Sequence, residues 1–300
     1  MKCFLTRVFQ KKSLGIILVF VICFLVFAFW QSPKPSHYEL TKQEKEVLTD
    51  FFDVFLLYEE GIYTLAGTKP VSISPLDRDF SQEKLEKWKE KYTTASKKKK
   101  QKLKPLNSYS TYTSNYREWE KIKQRLPIHQ YLFGTFKLNS KYDVLVFVNI
   151  ENTIKVLIRH YEIFHRTLGY DFDPLKIVFE VQNEKSQFWN DIMTHKYGHT
   201  LLGILLGFGV DNSYFFNWDT QYRESSSPIG EFIRGLPTGF YEKNILKPNY
   251  KKFNLPLFRS YGLHPTDKKL IKHYEKERLR IKKLYKGKDA VEVTLNWLTR

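Results

Sequence analysis

Cysteine is almost missing from this chain. There are two, Cys3 and Cys23, and no residue after position 23 is a cysteine. The long C-terminal part therefore has no disulfide framework, no thiolate nucleophile and no cysteine-based metal site, a pattern compatible with an oxidising compartment. Acidic residues are missing from the first thirty positions. The familiar catalytic signatures are missing too. There is no Gly-x-Ser-x-Gly elbow, no phosphate-cradling Lys-Ser/Thr loop, no Gly-x-Gly-x-x-Gly fingerprint and no cysteine–histidine pair. No internal repeat is evident.

Long apolar runs are scarce, with one exception. Leu14 to Trp30 carries no charge and follows Lys2, Arg7, Lys11 and Lys12. As a helix it would reach roughly 25 Å, the short end of what spans a bilayer. The preceding cations favour a cytoplasmic N-terminus, and Phe29 and Trp30 fit an interfacial belt on the far side. The expectation is a cytoplasmic tail and transmembrane anchor over 1–30, a linker over 31–40 containing Pro33 and Pro35, and one extracytoplasmic domain over 41–300. The rival reading is a signal peptide cleaved near Ala28, at Val26-Phe27-Ala28, which would release the protein. A lipoprotein would need a small residue before Cys23, where Ile22 stands.

The formal net charge is +17, with four of those charges in the N-terminal segment, so the rest remains strongly basic. Such a surface attracts anionic lipid, lipopolysaccharide or an acidic protein; the expected compartment argues against nucleic acid. Lys97, Lys98, Lys99 and Lys100 form the densest run and are the candidate contact with a membrane or other anion. Its plainer alternative is a solvated helix end. Aromatics at 16% point to a core rich in Phe and Tyr and argue against disorder.

Thr41 with Glu44 reads as a capping box opening an amphipathic helix to about Glu59, closed by Gly61. Ile62–Ala66 and Val71–Ser74 read as short extended pieces. Ser81–Tyr92 reads as a polar helix, Ser108–Ser114 as a loop and Tyr116–Leu126 as a helix. Tyr131–Leu138 and Tyr142–Asn149 are the clearest strands; the second, Val144 to Val148, is apolar throughout and so belongs in the centre of a sheet. A helix follows from Glu151 to Leu168, stopped by Gly169, then a third strand over Lys176–Val181. Ser186–Phe208 reads as one long helix ended by Gly207 and Gly209, followed by an aromatic helix capped by Asp211 or Asn212 and running to about Tyr222. Phe253–Phe258 reads as a strand interrupted by Pro256. Thr266 caps what reads as the last helix, ending near Tyr285. The expected fold is α+β, mostly helical with a small antiparallel sheet.

The best candidate for chemistry is His195-x-x-x-His199, two histidines on one face of the expected long helix. Lys196 stands where a zinc protease needs its glutamate, so that reading fails. A shared metal would need a third ligand from elsewhere, such as His160, His165 or Glu180, and the expectation is no metal and no cofactor. On a helical wheel the pair falls in line with Phe188, Ile192, Leu202 and Leu206, which favours histidines packed in the core. Gly203-x-x-x-Gly207 suits a close helix contact. The paired acids Glu59-Glu60 and Asp171/Asp173 are weaker candidates for a carboxylate pair.

Two segments, Tyr63-Thr64-Leu65-Ala66-Gly67-Thr68-Lys69-Pro70 and Leu201–Gly209 with Asn212 and Phe215, together resemble uncharacterised signal-bearing or membrane-anchored proteins of chlamydia-related bacteria. The resemblance covers about twenty residues; it implies a compartment and a lineage, and no activity. The resulting expectation is a non-enzymatic, single-pass protein of the bacterial inner membrane whose basic domain outside the cytoplasm binds an anionic envelope component or protein. The alternative is an extracytoplasmic hydrolase, with or without a metal ion, using His195 and His199.

Overall fold

In the computed structural model, which describes residues 39–78, 111–236, 247–261 and 265–300 with scattered positions between 83 and 96 and at 238, 239 and 245, the first helix begins as its capping box predicts. The Thr41 hydroxyl accepts from the Glu44 amide and the Glu44 carboxylate accepts from the Thr41 amide, opening α1, Lys42–Phe52. The helix then widens into a π-helical segment, Asp53–Tyr58, which buries Val54, Phe55, Leu56 and Leu57 together. The π-helical winding is wider than that of an α-helix.

Gly61 begins a helix instead of ending one. Glu60 adopts a left-handed conformation (φ 61°), and α2 runs Gly61–Ala66, where extended chain was expected. All six of its residues are buried, so burial on every side, not alternation, governs this segment. Strand β1, Val71–Asp77, follows. The described residues Glu83, Glu86, Lys87, Glu90, Thr93 and Thr94 are helical, in keeping with the polar helix expected there. Residues 111–123 form α3, so helix replaces the last part of the loop expected over Ser108–Ser114.

Strands β2, Tyr131–Lys137, and β3, Tyr142–Asn149, pair antiparallel, and β1 pairs with the other edge of β3. The order β1-β3-β2 puts the apolar strand in the centre, as its unbroken run predicts. Alternate side chains of β3 enter different layers. Val144, Val146 and Val148 pack with Leu157, Phe164, Val178, Trp189 and Leu205. Phe147 meets Phe55, Tyr131 and Phe133, while Phe133 and Phe51 both touch Trp119. The sheet is thus covered on both faces.

The helix expected over Glu151–Leu168 is interrupted at His160 into α4, Ile150–Arg159, and α5, Tyr161–Leu168; Gly169 (φ 76°) closes it as predicted. The strand expected over Lys176–Val181 is instead helical. Asp173 accepts from the Leu175 amide, Pro174 occupies the first turn, and α6 runs Pro174–Phe179 into a 3-10 turn, Glu180–Gln182. This start signal outweighs the β propensity of Ile177 and Val178. The third strand is β1.

The long helix expected over Ser186–Phe208 is two: α7, Gln187–Met193, and α8, Thr200–Leu205. Helix α9, Val210–Tyr222, agrees with expectation at its end, though Gly209 (φ 83°) rather than Asp211 or Asn212 occupies its cap position. Ser227 caps α10, Pro228–Gly235, a helix the sequence reading missed. Phe253–Phe258 forms no strand: its groups bond to side chains, and β5, Ser260–Tyr261, pairs with β4, Thr238–Gly239. Helix α11, Pro265–Tyr285, is not the last; Asp289 caps α12, Ala290–Leu298. The observed fold is α+β with a small three-stranded antiparallel sheet.

Residues 40–300 form one unit with a core of their own and so fold independently. The apolar run Leu14–Trp30, the cleavage alternative at Ala28 and the lysines Lys97, Lys98, Lys99 and Lys100 lie outside the described residues. Among the described residues, no helix is long and apolar enough to cross a membrane.

Candidate functional site: a histidine pair beside an apolar cleft

The break between α7 and α8 rebuilds the histidine site. His195 adopts a left-handed conformation (φ 55°), and Gly198 follows at φ 80°. The side chain of Asn217, on α9, clamps this turn by accepting from the His199 amide at 2.9 Å. A Cβ on Gly198 would lie 2.1 Å from the same Asn217 oxygen, so only glycine passes this point. The two histidines therefore do not share a helical face, yet their rings still meet, with centroids 4.2 Å apart and planes tilted by 48°. The turn brings together what an unbroken helix would have aligned.

Both imidazoles are half-buried, and burial lowers the pKa of each, with the His199 charge adding to the effect on His195. The buried Nδ1 of His195 makes no hydrogen bond. The nearest acid on α7, Asp191, is engaged by Lys196 at 3.1 Å and by the Tyr170 hydroxyl at 3.3 Å. His165 pairs with Asp171, and Glu180 accepts from Ser186. Among the described residues no group of three or more His, Cys, Asp or Glu is placed to hold a metal ion. The expected wheel stripe is corrected accordingly: Phe188, Ile192 and Leu202 are core residues, but the histidines sit on a turn at the edge of that core.

The ring of His199 also meets Phe216 edge-on and borders a cleft of about 520 Å³. Leu202, Leu206, Phe208, Phe216, Leu257 and Phe258 form its apolar lining, with Arg259 at the border. Two polar side chains of the lining donate to nearby backbone. Asn212 donates to the Phe208 carbonyl, and Ser213 donates to the Gly209 carbonyl. The helices α8 and α9 that form the cleft approach closely because Gly203 has no side chain: a Cβ there would lie 2.5 Å from Ser213 Oγ. Close contact through Gly203 agrees with the sequence expectation. Gly207 instead lies in a left-handed turn, against the Tyr274 hydroxyl.

The second wall is Leu257, Phe258 and Arg259, at the end of the irregular stretch from Phe253 to Arg259. The Tyr63 hydroxyl donates to the Asn254 carbonyl, and the Leu257 amide donates to the Glu60 carboxylate. Glu60 also pairs with Lys69 at 2.8 Å, a lysine whose side chain is only 3% exposed. Thus one acid, in the left-handed link before α2, neutralises a buried cation and holds the cleft wall.

At the border, Asp219 (4% exposed) accepts from both Arg223 and Arg259. Two guanidiniums share one carboxylate, and Glu224 also acts on Arg223, so Arg259 is the less compensated of the two. Arg259 also lies over the Tyr261 ring, Tyr261 packs on Phe215, and Phe215 touches Trp218 and Phe232. Trp218 and Phe232 are exposed, so the charged border leads from the cleft to exposed aromatic rings.

Members of the other acid pairs have partners of their own. Glu60 is committed to Lys69 and Leu257, while Asp171 faces Tyr161 and Asp173 caps α6. No family profile, curated protein or solved structure matches this chain. Sequence reasoning found the histidines and missed the cleft, whose walls come from segments about fifty residues apart. Gly198 was the available signal for the helix break.

Proposed function

We propose that the chain is a single-pass, membrane-anchored protein of the bacterial envelope whose basic domain, outside the cytoplasm, binds an anionic component without catalysing a reaction. One observation carries the binding part. On α11, Lys268, Lys269, Lys272 and Lys276 are exposed and make no ion pair with a described residue. Unpaired lysines on one helix retain their full attraction for an anionic surface. The anchor, the inner-membrane location and the lineage implied by the two sequence segments belong to the same proposal and rest on the sequence alone; cleavage near Ala28, with release, is the alternative to the anchor.

The test is co-sedimentation of residues 40–300 with phosphatidylglycerol vesicles and with phosphatidylcholine vesicles. Binding is expected to the anionic vesicles only, and should be abolished near 1 M salt, where the screening length shrinks to about 3 Å. Replacing Lys268, Lys269, Lys272 and Lys276 with Gln should reduce it strongly. Binding equal on both vesicles, or insensitive to salt, would refute the proposal.

The placement of His199 at the cleft, with His195 beside it, favours the hydrolase as a second reading. Hydrolysis of a 4-nitrophenyl acyl ester that disappears in His199→Ala would establish it.

A further inference from the structure

We propose that the cleft between α8, α9 and the Phe253–Arg259 wall binds a single-chain, monoanionic amphiphile of the fatty-acid class, with its acyl chain inside and its carboxylate at Arg259. The inference rests on the reading of this domain as a binder of anionic envelope components, and it names a ligand and a site distinct from the lysine face of α11.

Three independent features define the ligand. The volume, about 520 Å³, is in the range of small-molecule sites and too small for a folded partner. The lining is mostly apolar, and its Asn212 and Ser213 side chains donate to the Phe208 and Gly209 carbonyls in the turn just before α9. A polar ligand would lose its water in such a space and gain little, whereas each buried methylene contributes about 0.8 kcal/mol.

The third feature is the charge at the border. Arg259 commits Nη1 to Asp219, and its fork has further donors. Arg223 takes the other oxygen of the same carboxylate and has Glu224 nearby, so the donors left on Arg259 are the ones that meet an incoming anion. The Arg259 side chain is 31% exposed, which allows it to meet a headgroup at the solvent boundary. The histidines do not supply this charge, since burial favours their neutral form. The planar fork of Arg259 matches one carboxylate. The exposed rings of Trp218 and Phe232 reach this border through Phe215 and Tyr261, which places apolar surface beside the headgroup position.

The experiment uses residues 40–300, which fold independently, and cis-parinaric acid as the fluorescent probe. Oleate and oleyl alcohol serve as competitors in the absence of vesicles. The wild-type domain should bind the probe with one-to-one stoichiometry and release it to oleate. Leu206→Trp, which fills the cleft, should weaken probe binding by about tenfold or more while leaving the circular dichroism spectrum intact. Arg259→Gln should weaken oleate roughly tenfold and leave oleyl alcohol unchanged, since a charge-assisted hydrogen bond is lost only for the carboxylate.

Absence of probe binding, or Leu206→Trp binding like the wild type, would overturn the site. Arg259→Gln weakening acid and alcohol equally would overturn the assigned headgroup. A wild-type dimer that Leu206→Trp converts to monomer would overturn the ligand in favour of a second copy of the chain. Loss of oleate binding with vesicle binding intact sinks this inference alone. Vesicle binding absent with oleate binding intact sinks the broader reading instead.

Discussion

The rings of His195 and His199 lie with centroids 4.2 Å apart across a turn, not along a helix. Their proximity thus depends on the left-handed backbone at His195 and Gly198 and on the Asn217 clamp. Burial lowers both pKa values, so the unfolded chain takes up protons before the folded one does. The pair therefore destabilises the fold as pH falls below the ordinary histidine value of about 6.5, and contributes no such penalty above it. A His195→Gln/His199→Gln variant should show a flatter fall in melting temperature between pH 7.5 and 5 than the wild type. Parallel curves would show that the pair does not titrate differently on folding.

Asp53 titrates in the opposite sense. Burial, reinforced by Asp50, pushes its carboxyl up to about 6. Its stabilising contribution is complete below the unfolded value and is lost as pH rises through the folded one. Asp53→Asn should therefore add about 1–2 kcal/mol near pH 8, after allowance for solvent screening, and nothing near pH 3. Urea melts at both pH values measure the difference. Glu277, which burial also holds above the ordinary range, supplies a second carboxyl of this kind, so each variant must be compared with wild type at the same pH.

The Glu60–Lys69 pair should be costly to break from one side. Glu60→Ala leaves the Lys69 ammonium buried and also frees the Leu257 amide. A loss of about 3–5 kcal/mol is expected in urea denaturation. Because Glu60 also holds the cleft wall, the same variant should bind the fluorescent acid more weakly wherever it remains folded.

Gly203 sets the distance between α8 and α9. Gly203→Ala forces a Cβ against Ser213 and should cost about 2 kcal/mol. Ser213→Gly removes the obstructing atoms, so the double variant should recover much of that loss relative to Ser213→Gly alone. Strict additivity of the two changes in thermal melts would show that the helices do not meet at this pair.

Asn217 holds the turn that presents His199. Asn217→Ala leaves the His199 amide without its acceptor and should cost about 1–2 kcal/mol. In histidine-resolved NMR spectra, the His195 and His199 signals should shift far more than that of His129. Equal, small shifts would show that the turn holds its shape without the clamp.

By itself the sequence determined the elements whose signals are local. The Thr41–Glu44 capping box, the buried central strand Val144–Val148 and the Gly169 stop all depend on neighbours within a few residues, and all stand where those neighbours put them. The charge and the lone apolar run are equally local properties of the chain. Tertiary structure decided the rest because the competing signals were distant. Gly61 could end one helix or begin another, and complete burial of Gly61–Ala66 selected the second. His195 to Gly198 could continue a helix, and Asn217, eighteen residues beyond His199, holds it open as a turn. The cleft required the approach of α8 to α9 and a wall fastened by Glu60, nearly two hundred residues before Leu257. No periodicity encodes a hydrogen bond of that span, so the site became legible only once the chain was folded.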